Sequence, residues 1–407
     1  MSRLLEDITV LDIGRYVAGP YCATLLGYLG AEIIRVERPS GGEDRFIAPL
    51  FEQADGSPGE GGLFMQTACG KKSVTLDLSA PEGREILQKL AASADIVVAN
   101  LLPAALTRLG LDWDRFSALN PAGILVTQTT FGTTGPDATK GGFDGIGQAV
   151  SGAMYLTGTP AHPVKAGAPY VDYATAVMSA FAALAALMDR QRTGKGQHVE
   201  TSLMGTALAV MNSHLAEQGA TQINRVGTGN RVQTSAPSDV FATGDGHILV
   251  HTVGDSLFAR WAGMVGRPEL ADDPRFKGDQ ARGDMGDELC AIMAAWCADK
   301  SSEDALAALQ KAGVPAGPVL TMQQALDNPQ VEAMGFLKQV MFDGLPRPAP
   351  VADLPARFSA MESGLKTGDD GLPPTIGQHN QEILSKLGYS DDDIVALADK
   401  GIISHRE

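Results

Sequence analysis

The chain alternates between two hydrophobic rhythms. Ile8 to Ile13 is a short β-branched strand, closed by Gly14 and Gly19-Pro20. Tyr21 to Leu29 reads as a helix, and Ala31 to Glu37 as a second apolar strand. Such a βαβ unit predicts a parallel, right-handed pair. Ser73 to Leu78 is another strand, and Pro81 then opens a helix over Glu82 to Ala92 at a favoured first-turn position. Asp95 to Asn100 and Ile124 to Thr129 are further strands. Further on, Val177, Phe181, Leu184 and Leu187 recur at three- and four-residue steps, with no breaker before Thr193-Gly194, which predicts a long buried helix. Gln197 to Thr201 and Leu203 to Leu215 add a strand and a helix. Strands alternating with helices predict an α/β domain.

The rhythm changes after a polar, Gly-rich crossing at Gly219 to Ser238. Val240 to Val253 reads as a hairpin turning at Gly244-Asp245-Gly246. Leu257 to Val265, Asp287 to Ala298 and Ser302 to Ala312 read as helices, and Val314 to Leu320 as extended chain. This middle portion predicts a smaller α+β domain. A Pro-rich return and two short helices, Gln381 to Leu387 and Asp391 to Asp399, complete the chain. The expected boundaries are a large domain begun by 1–218, a linker at 219–238, the small domain at 239–328, and a return at 329–407 that completes the large domain.

Composition narrows the function. Of 407 residues, 44% are hydrophobic and 20% charged, as in ordinary globular chains. The net charge of −16 argues against nucleic-acid binding, which needs a basic face. The four cysteines form no C-x-x-C pair, so neither a metal site nor a disulfide framework is expected. His247 and His251 are four apart in a predicted hairpin and are not expected to share a face. The N-terminal segment lacks the apolar run of a signal peptide, and no uninterrupted apolar stretch reaches membrane-spanning length. A cytoplasmic protein with no membrane partner is therefore expected. The first βαβ unit invites a dinucleotide reading with Glu37 on a ribose. Its glycines, Gly14 and Gly19, do not form the G-x-G-x-x-G turn. A nucleotide-binding oxidoreductase is kept as a rival reading.

The chemistry concentrates before the long helix. A loop containing Gly158, Pro160, Pro163, Gly167 and Pro169 runs into Asp172 at the helix start. Asp172 as an N-cap would give its carboxylate to first-turn N–H groups. Asp172 as a nucleophile would attack a carbonyl and form a covalent intermediate, kept ionised at neutral pH by the positive helix end. The local sequence supports both readings.

A series of motifs in order adds a further constraint. VLDIGRYVAGPYCATLLGYLGAEIIRVERP from Val10, KKSVTLDLSAPEGRE from Lys71, LTRLGLDW from Leu106, FGTTGP from Phe131, FDGIGQAVSGAMYLTG from Phe143, TGKGQHVETSL from Thr193, VPAGPV from Val314 and IGQHNQEILSKLGYS from Ile376 resemble the class III CoA-transferases nearly end to end. The resemblance implies a large Rossmann-like domain built from both chain ends, a small α+β domain, and a homodimer of interlocked rings. It implies that Asp172 is the nucleophile, carrying CoA as an aspartyl thioester between an acyl-CoA and a small carboxylic acid. CoA is then a substrate, with no permanently bound cofactor.

By the same resemblance Tyr16, Val17, Ala18, Phe143, Asp144 and Gly229 line the reacting centre. Asp144 orients substrate or caps the helix that follows it. Gly229 lies in a Gly-rich loop, Val226 to Asn230, that is a candidate oxyanion site. Arg38, Lys71, Lys72, Asn100 and Arg108 are the expected CoA contacts. The superfamily also contains 2-methylacyl-CoA racemases. Their catalytic His would fall at Phe143, and Phe cannot exchange a proton.

Overall fold

The computed structural model describes residues 3–52, 58–342, 345–366 and 368–405. The chain divides into two compact units. The first comprises 1–151, 167–216 and 332–407, and the second 152–166 and 217–331.

The first unit is built on six parallel strands: β1 (Thr9–Asp12), β2 (Glu32–Glu37), β3 (Lys72–Thr75), β4 (Ile96–Ala99), β5 (Ile124–Thr129) and β6 (His198–Ser202). Their order is β6-β5-β4-β1-β2-β3. Alternate side chains feed two cores. Val10, Ile33, Ile96, Val98, Ile124 and Val126 pack against α1 (Ala18–Tyr28) and α4 (Tyr170–Thr193). Leu11, Ile34, Val36, Val74, Val97 and Leu125 pack on the opposite face against α2 (Pro81–Ser93) and the C-terminal helices. Both faces are covered, which is why these strands read as continuous apolar runs.

From β1 the chain builds outward to β2 and β3 on one side and to β4, β5 and β6 on the other. The carboxyl ends of β1 and β4 therefore form the switch point at which open α/β sheets bind ligands. Gly14 and Gly19 explain the close approach there: a Cβ on Gly14 would lie 3.0 Å from the Gly19 Cα. Their spacing serves packing of the loop onto α1. Glu37, the residue of the dinucleotide reading, is buried and already bonded by Arg45, Ser73 Oγ and the Gly42 N–H. It has no acceptor to offer a ribose.

Helix α4 corrects one expectation. Its 24 residues include an 18-residue stretch of mean hydropathy 1.6, so the helix is long and apolar enough to cross a bilayer by length and composition. Val171, Ala176, Ala180, Ala183 and Leu187 are buried within the unit, whereas Val177, Met178, Phe181 and Met188 form an exposed apolar stripe. The helix expected over 203–215 is interrupted at Met211, one helix ending at Val210 and the next beginning at Asn212.

The second unit carries an antiparallel sheet of β7 (Ser238–Ala242), β8 (His247–His251) and β9 (Ala316–Pro318). Phe241, Ile248 and Val250 pack with Phe258, Trp261, Met293 and Leu309. His247 and His251 do share a face, contrary to expectation: on a strand, residues four apart point the same way, and both are exposed beside Leu249. Four strand steps separate them by about 13 Å, too far to hold one ion. Residues 152–166, expected with the large domain, cluster in this unit, where Gly158 bridges Gly229.

Candidate active site

Helix α3 (Asp144–Val150) decides the fate of Asp172. Pro169 precedes α4 and provides no side-chain cap. The capping comes from across space. Asp144 Oδ1 accepts from the N–H groups of Val171 (2.7 Å) and Asp172 (3.1 Å), while Oδ2 accepts from Gln148 Nε2 (2.5 Å). Asp144 therefore caps the helix of Asp172, rather than only the helix that follows it in sequence. With two of the orphan first-turn donors already engaged, the Asp172 side chain is not required as an N-cap.

The electrostatics differ from the simple helix-end picture. The Asp172 carboxyl is pushed up to about 7, first by burial and then by the nearby Asp144 charge. A backbone hydrogen bond from Asp144 opposes both. Desolvation and a like charge thus outweigh the helix end, which on its own is worth about a kcal/mol or less.

Tyr16 and Ala18 reach the chain neighbours of this pair, Phe143 and Val171. Tyr16 occupies the left-handed region at φ 63°, uncommon for a residue with a Cβ. Its ring stands edge-on to Phe143, with centroids 5.2 Å apart. Ala18 packs with Val171 and Leu203, and Val17 joins the core beneath α1 and α4. Phe143 itself is 61% exposed. The loop after β1, the start of α3 and the start of α4 are therefore one site. Gly229 lies in the second unit at φ 70°, donating its N–H to Gly158 O.

The expected CoA contacts divide into two groups. Arg38 and Arg108 line a cavity of about 440 Å³ at the carboxyl ends of β1, β2, β3 and β4. Arg38 pairs with Glu43, and Arg108 has no ion pair among the described residues. Lys71, Lys72 and Asn100 are committed elsewhere. The Lys71 ammonium is buried, 2.7 Å from Asp12 Oδ2 and 2.7 Å from Pro20 O, which ties the end of β1 to α1. Lys72 bridges Glu32 and Glu382. Asn100 grips the Arg15 backbone on both sides, Oδ1 accepting from N–H at 2.7 Å and Nδ2 donating to C=O at 2.6 Å. These three are positioned by the protein's own groups, and Asn100 fixes the loop that carries Tyr16.

Sequence reasoning missed Arg15 and Arg84, which line the same cavity, and Arg35 at its base. Arg35 binds Asp44 (2.5 Å), yet its Nε and one terminal nitrogen are buried without a hydrogen-bond partner. Arg84 was visible as the Arg of PEGRE, one helical turn after Pro81. Glu37, Glu43, Asp44 and Asp77 line the same cavity, and Glu43 and Asp44 pair with Arg15, Arg35 and Arg38. Arg84 and Arg108 are therefore the guanidinium groups there with no ion pair among the described residues, and such groups suit phosphate oxygens.

The chain is similar to known proteins along nearly its whole length. The family described as CoA-transferase family III matches residues 5–380. A succinyl-CoA–D-citramalate CoA-transferase of Chloroflexus aurantiacus is 36% identical over 98% of both chains. A succinate–glutarate CoA-transferase of Agrobacterium fabrum is 31% identical over 94% of this chain and 95% of its own. A CaiB/BaiF family protein from Brucella suis, solved by crystallography, superposes with a TM-score of 0.81 at 32% identity, covering 95% of this chain and all of its own.

Proposed function

The chain belongs to CoA-transferase family III, and we propose that it moves CoA from an acyl-CoA donor to a small carboxylic acid through a thioester on Asp172. The observation that carries the reading is the division of labour between two aspartates: Asp144 caps α4, and Asp172 stands beside it with a carboxyl that titrates near 7.

The reaction runs as four balanced acyl transfers. The Asp172 carboxylate attacks the donor thioester carbonyl and expels CoA thiolate, leaving a mixed anhydride. The thiolate attacks the aspartyl carbonyl of that anhydride, forming an aspartyl-CoA thioester and releasing the donor acid. The acceptor carboxylate attacks this thioester, giving a new anhydride and thiolate. The thiolate then takes the acceptor acyl group and restores Asp172. Covalent catalysis splits one exchange into steps of comparable energy. Anhydride and thioester both hydrolyse, so bound substrate must cover the exposed ring of Phe143 and keep water from Asp172 during turnover.

The cavity would take the CoA phosphates on Arg84 and Arg108, and consecutive residues join it to the reacting centre, since Arg15 lines the cavity and Tyr16 meets Phe143. The relatives named above make succinyl-CoA the first donor to test, with small dicarboxylates as acceptors. The exposed apolar stripe on α4 supports a homodimer, and family resemblance supports its interlocking; light scattering at graded concentrations tests the dimer.

The decisive experiment traps the intermediate. Incubation with succinyl-CoA and then hydroxylamine should yield a hydroxamate at position 172 by mass spectrometry. Asp172→Ala should lose turnover while still binding CoA. Turnover in that variant, or turnover in the native protein with position 172 never modified, sinks the reading.

A further inference from the structure

A third buried group stands behind the two aspartates. Gln148 lies on α3 four residues after Asp144, so the two side chains share a face of that helix. Gln148 is 1% exposed, and its Nε2 donates to Asp144 Oδ2 at 2.5 Å. The other oxygen, Oδ1, takes the Val171 and Asp172 N–H groups. Helix α3 is pressed against this turn of α4: a Cβ on Gly147 would lie 2.9 Å from Val171 Cγ1. A carboxylate turns easily about its last bond, because that torsion has only broad, two-fold minima. With one oxygen bridging two backbone donors and the other gripped by Gln148, Asp144 is held in one orientation.

The donors are unevenly divided. Three N–H groups meet the Asp144 carboxylate, whereas the Asp172 carboxyl is met by one, the backbone N–H of Asp144. Hydrogen bonds to a carboxylate favour its ionised form, so the pair keeps its charge at 144 and its proton at 172. Neither aspartate forms an ion pair among the described residues. The other titratable groups around them are phenols: Tyr16 of the loop after β1, Tyr21 of α1, and Tyr170 and Tyr173 of α4. Burial raises the last three above the ordinary phenol range, so they stay neutral while the aspartates titrate. We propose that Gln148 is a positioning residue for the transfer: by gripping Asp144 it keeps the charge of the pair on that aspartate, and so sets the pH above which Asp172 can attack. The proposal rests on the reading of Asp172 as the nucleophile. Gln148 acts through Asp144 and not on the reacting carboxyl itself. Without the grip, Oδ2 is buried with no donor and becomes the better seat for the proton, and Asp172 is then ionised at lower pH.

The test is the pH dependence of the full-length protein from pH 5 to 9. It is read as kcat/KM with succinyl-CoA, and as the rate at which hydroxylamine-trapped label appears at position 172. Gln148→Leu removes the donor and keeps the bulk. A hydrogen bond to a charged group is strong enough that its loss should move the acidic limb down by about one pH unit. Gln148→Asn withdraws the amide by one methylene and should move the limb the same way, which keeps the test open where the leucine variant fails to fold. In an Asp144→Asn background there is no charge to hold, so adding Gln148→Leu should leave the limb where Asp144→Asn alone puts it. A residue that only fills space gives another result, a lower kcat at every pH with the limb unmoved. An unmoved limb in both variants, or an equal shift with and without the Asp144 charge, overturns the assignment of Gln148 and leaves the transferase reading standing. Native protein that turns over with position 172 never labelled fails the nucleophile reading itself, and this one with it.

Discussion

Replacing Asp172 by Asn should stabilise the protein, and by an amount that depends on pH. In the folded chain the carboxyl titrates near 7, against an ordinary value of 3.8, because burial and Asp144 disfavour its charge. A carboxyl raised in this way favours the folded state while it is protonated. That advantage is complete below about pH 4, declines as pH rises, and is lost above about 7. Each pH unit is worth about 1.4 kcal/mol, so the interval between the two values corresponds to about 4 kcal/mol at most. Asp172 is half-buried, and residual solvent brings a sensible expectation to about 2–4 kcal/mol. Asparagine keeps the shape and removes the charge. The variant should therefore melt close to the native protein at pH 4 and progressively higher from pH 4 to 7, with a constant gap thereafter.

The assay is thermal unfolding of both proteins in matched buffers across pH 4–9, read by fluorescence or calorimetry. An N-capping Asp gives the opposite sign. Its charge would stabilise the helix, and Asn substitution would then be neutral or destabilising at high pH. A gap that is flat with pH, or that closes as pH rises, would refute the assignment of strained ionisation to Asp172.

Other variants test the same geometry. The acidic limb of kcat/KM should fall near pH 7 in the native enzyme, since the nucleophile must be ionised. Asp144→Asn keeps an oxygen for the Val171 and Asp172 N–H groups but removes the like charge. Its limb should shift to lower pH, and an unshifted pH–rate profile would count against the coupling. Asn100→Ala removes both bonds to the Arg15 backbone, at about 1 kcal/mol each. It should raise KM for acyl-CoA and lower kcat together, because the loop serves both cavity and reacting centre. Lys71→Met should cost about 3–5 kcal/mol in urea unfolding by leaving Asp12 buried and unpaired, and adding Asp12→Asn should recover much of the loss.

The sheet was legible because its strands are buried on both faces. Runs such as Ile33-Ile34 and Ile96-Val97-Val98 leave no other economical structure. The hairpin at Gly244-Asp245-Gly246 was legible from its turn chemistry, and the expected pairing of its arms is observed. Side-chain commitments were not legible. Lys71 and Lys72 are neighbours of one type, yet one ammonium is sealed inside against Asp12 and the other bridges two surface glutamates. Strand alternation separates them, but only the fold supplies the partners. Asn100 and Glu37 are similar cases, each a plausible ligand group whose hydrogen bonds were already taken by the backbone or by arginine.

The Asp144–Asp172 pair shows why this limit falls hardest on the reacting centre. Twenty-eight positions separate the two, and local pattern made each an eligible helix cap. Capping is a local rule, satisfied by whichever oxygen reaches the N–H groups first. Here the oxygen comes from another helix, and that non-local satisfaction is what releases Asp172. The same approach brings a second negative charge close enough to raise its pKa. Asp144 thus sets the position of the nucleophile and, after burial, part of its proton affinity, so the two cannot be varied wholly independently. A substitution at 144 that keeps the cap but not the charge should give an enzyme active at lower pH, whereas one that removes both, such as Asp144→Ala, should fray the first turn of α4 and lose activity across the whole pH range. Parallel losses in the two variants would mean that the cap contributes nothing beyond the charge, and the division of labour inferred for the two aspartates would have to be abandoned.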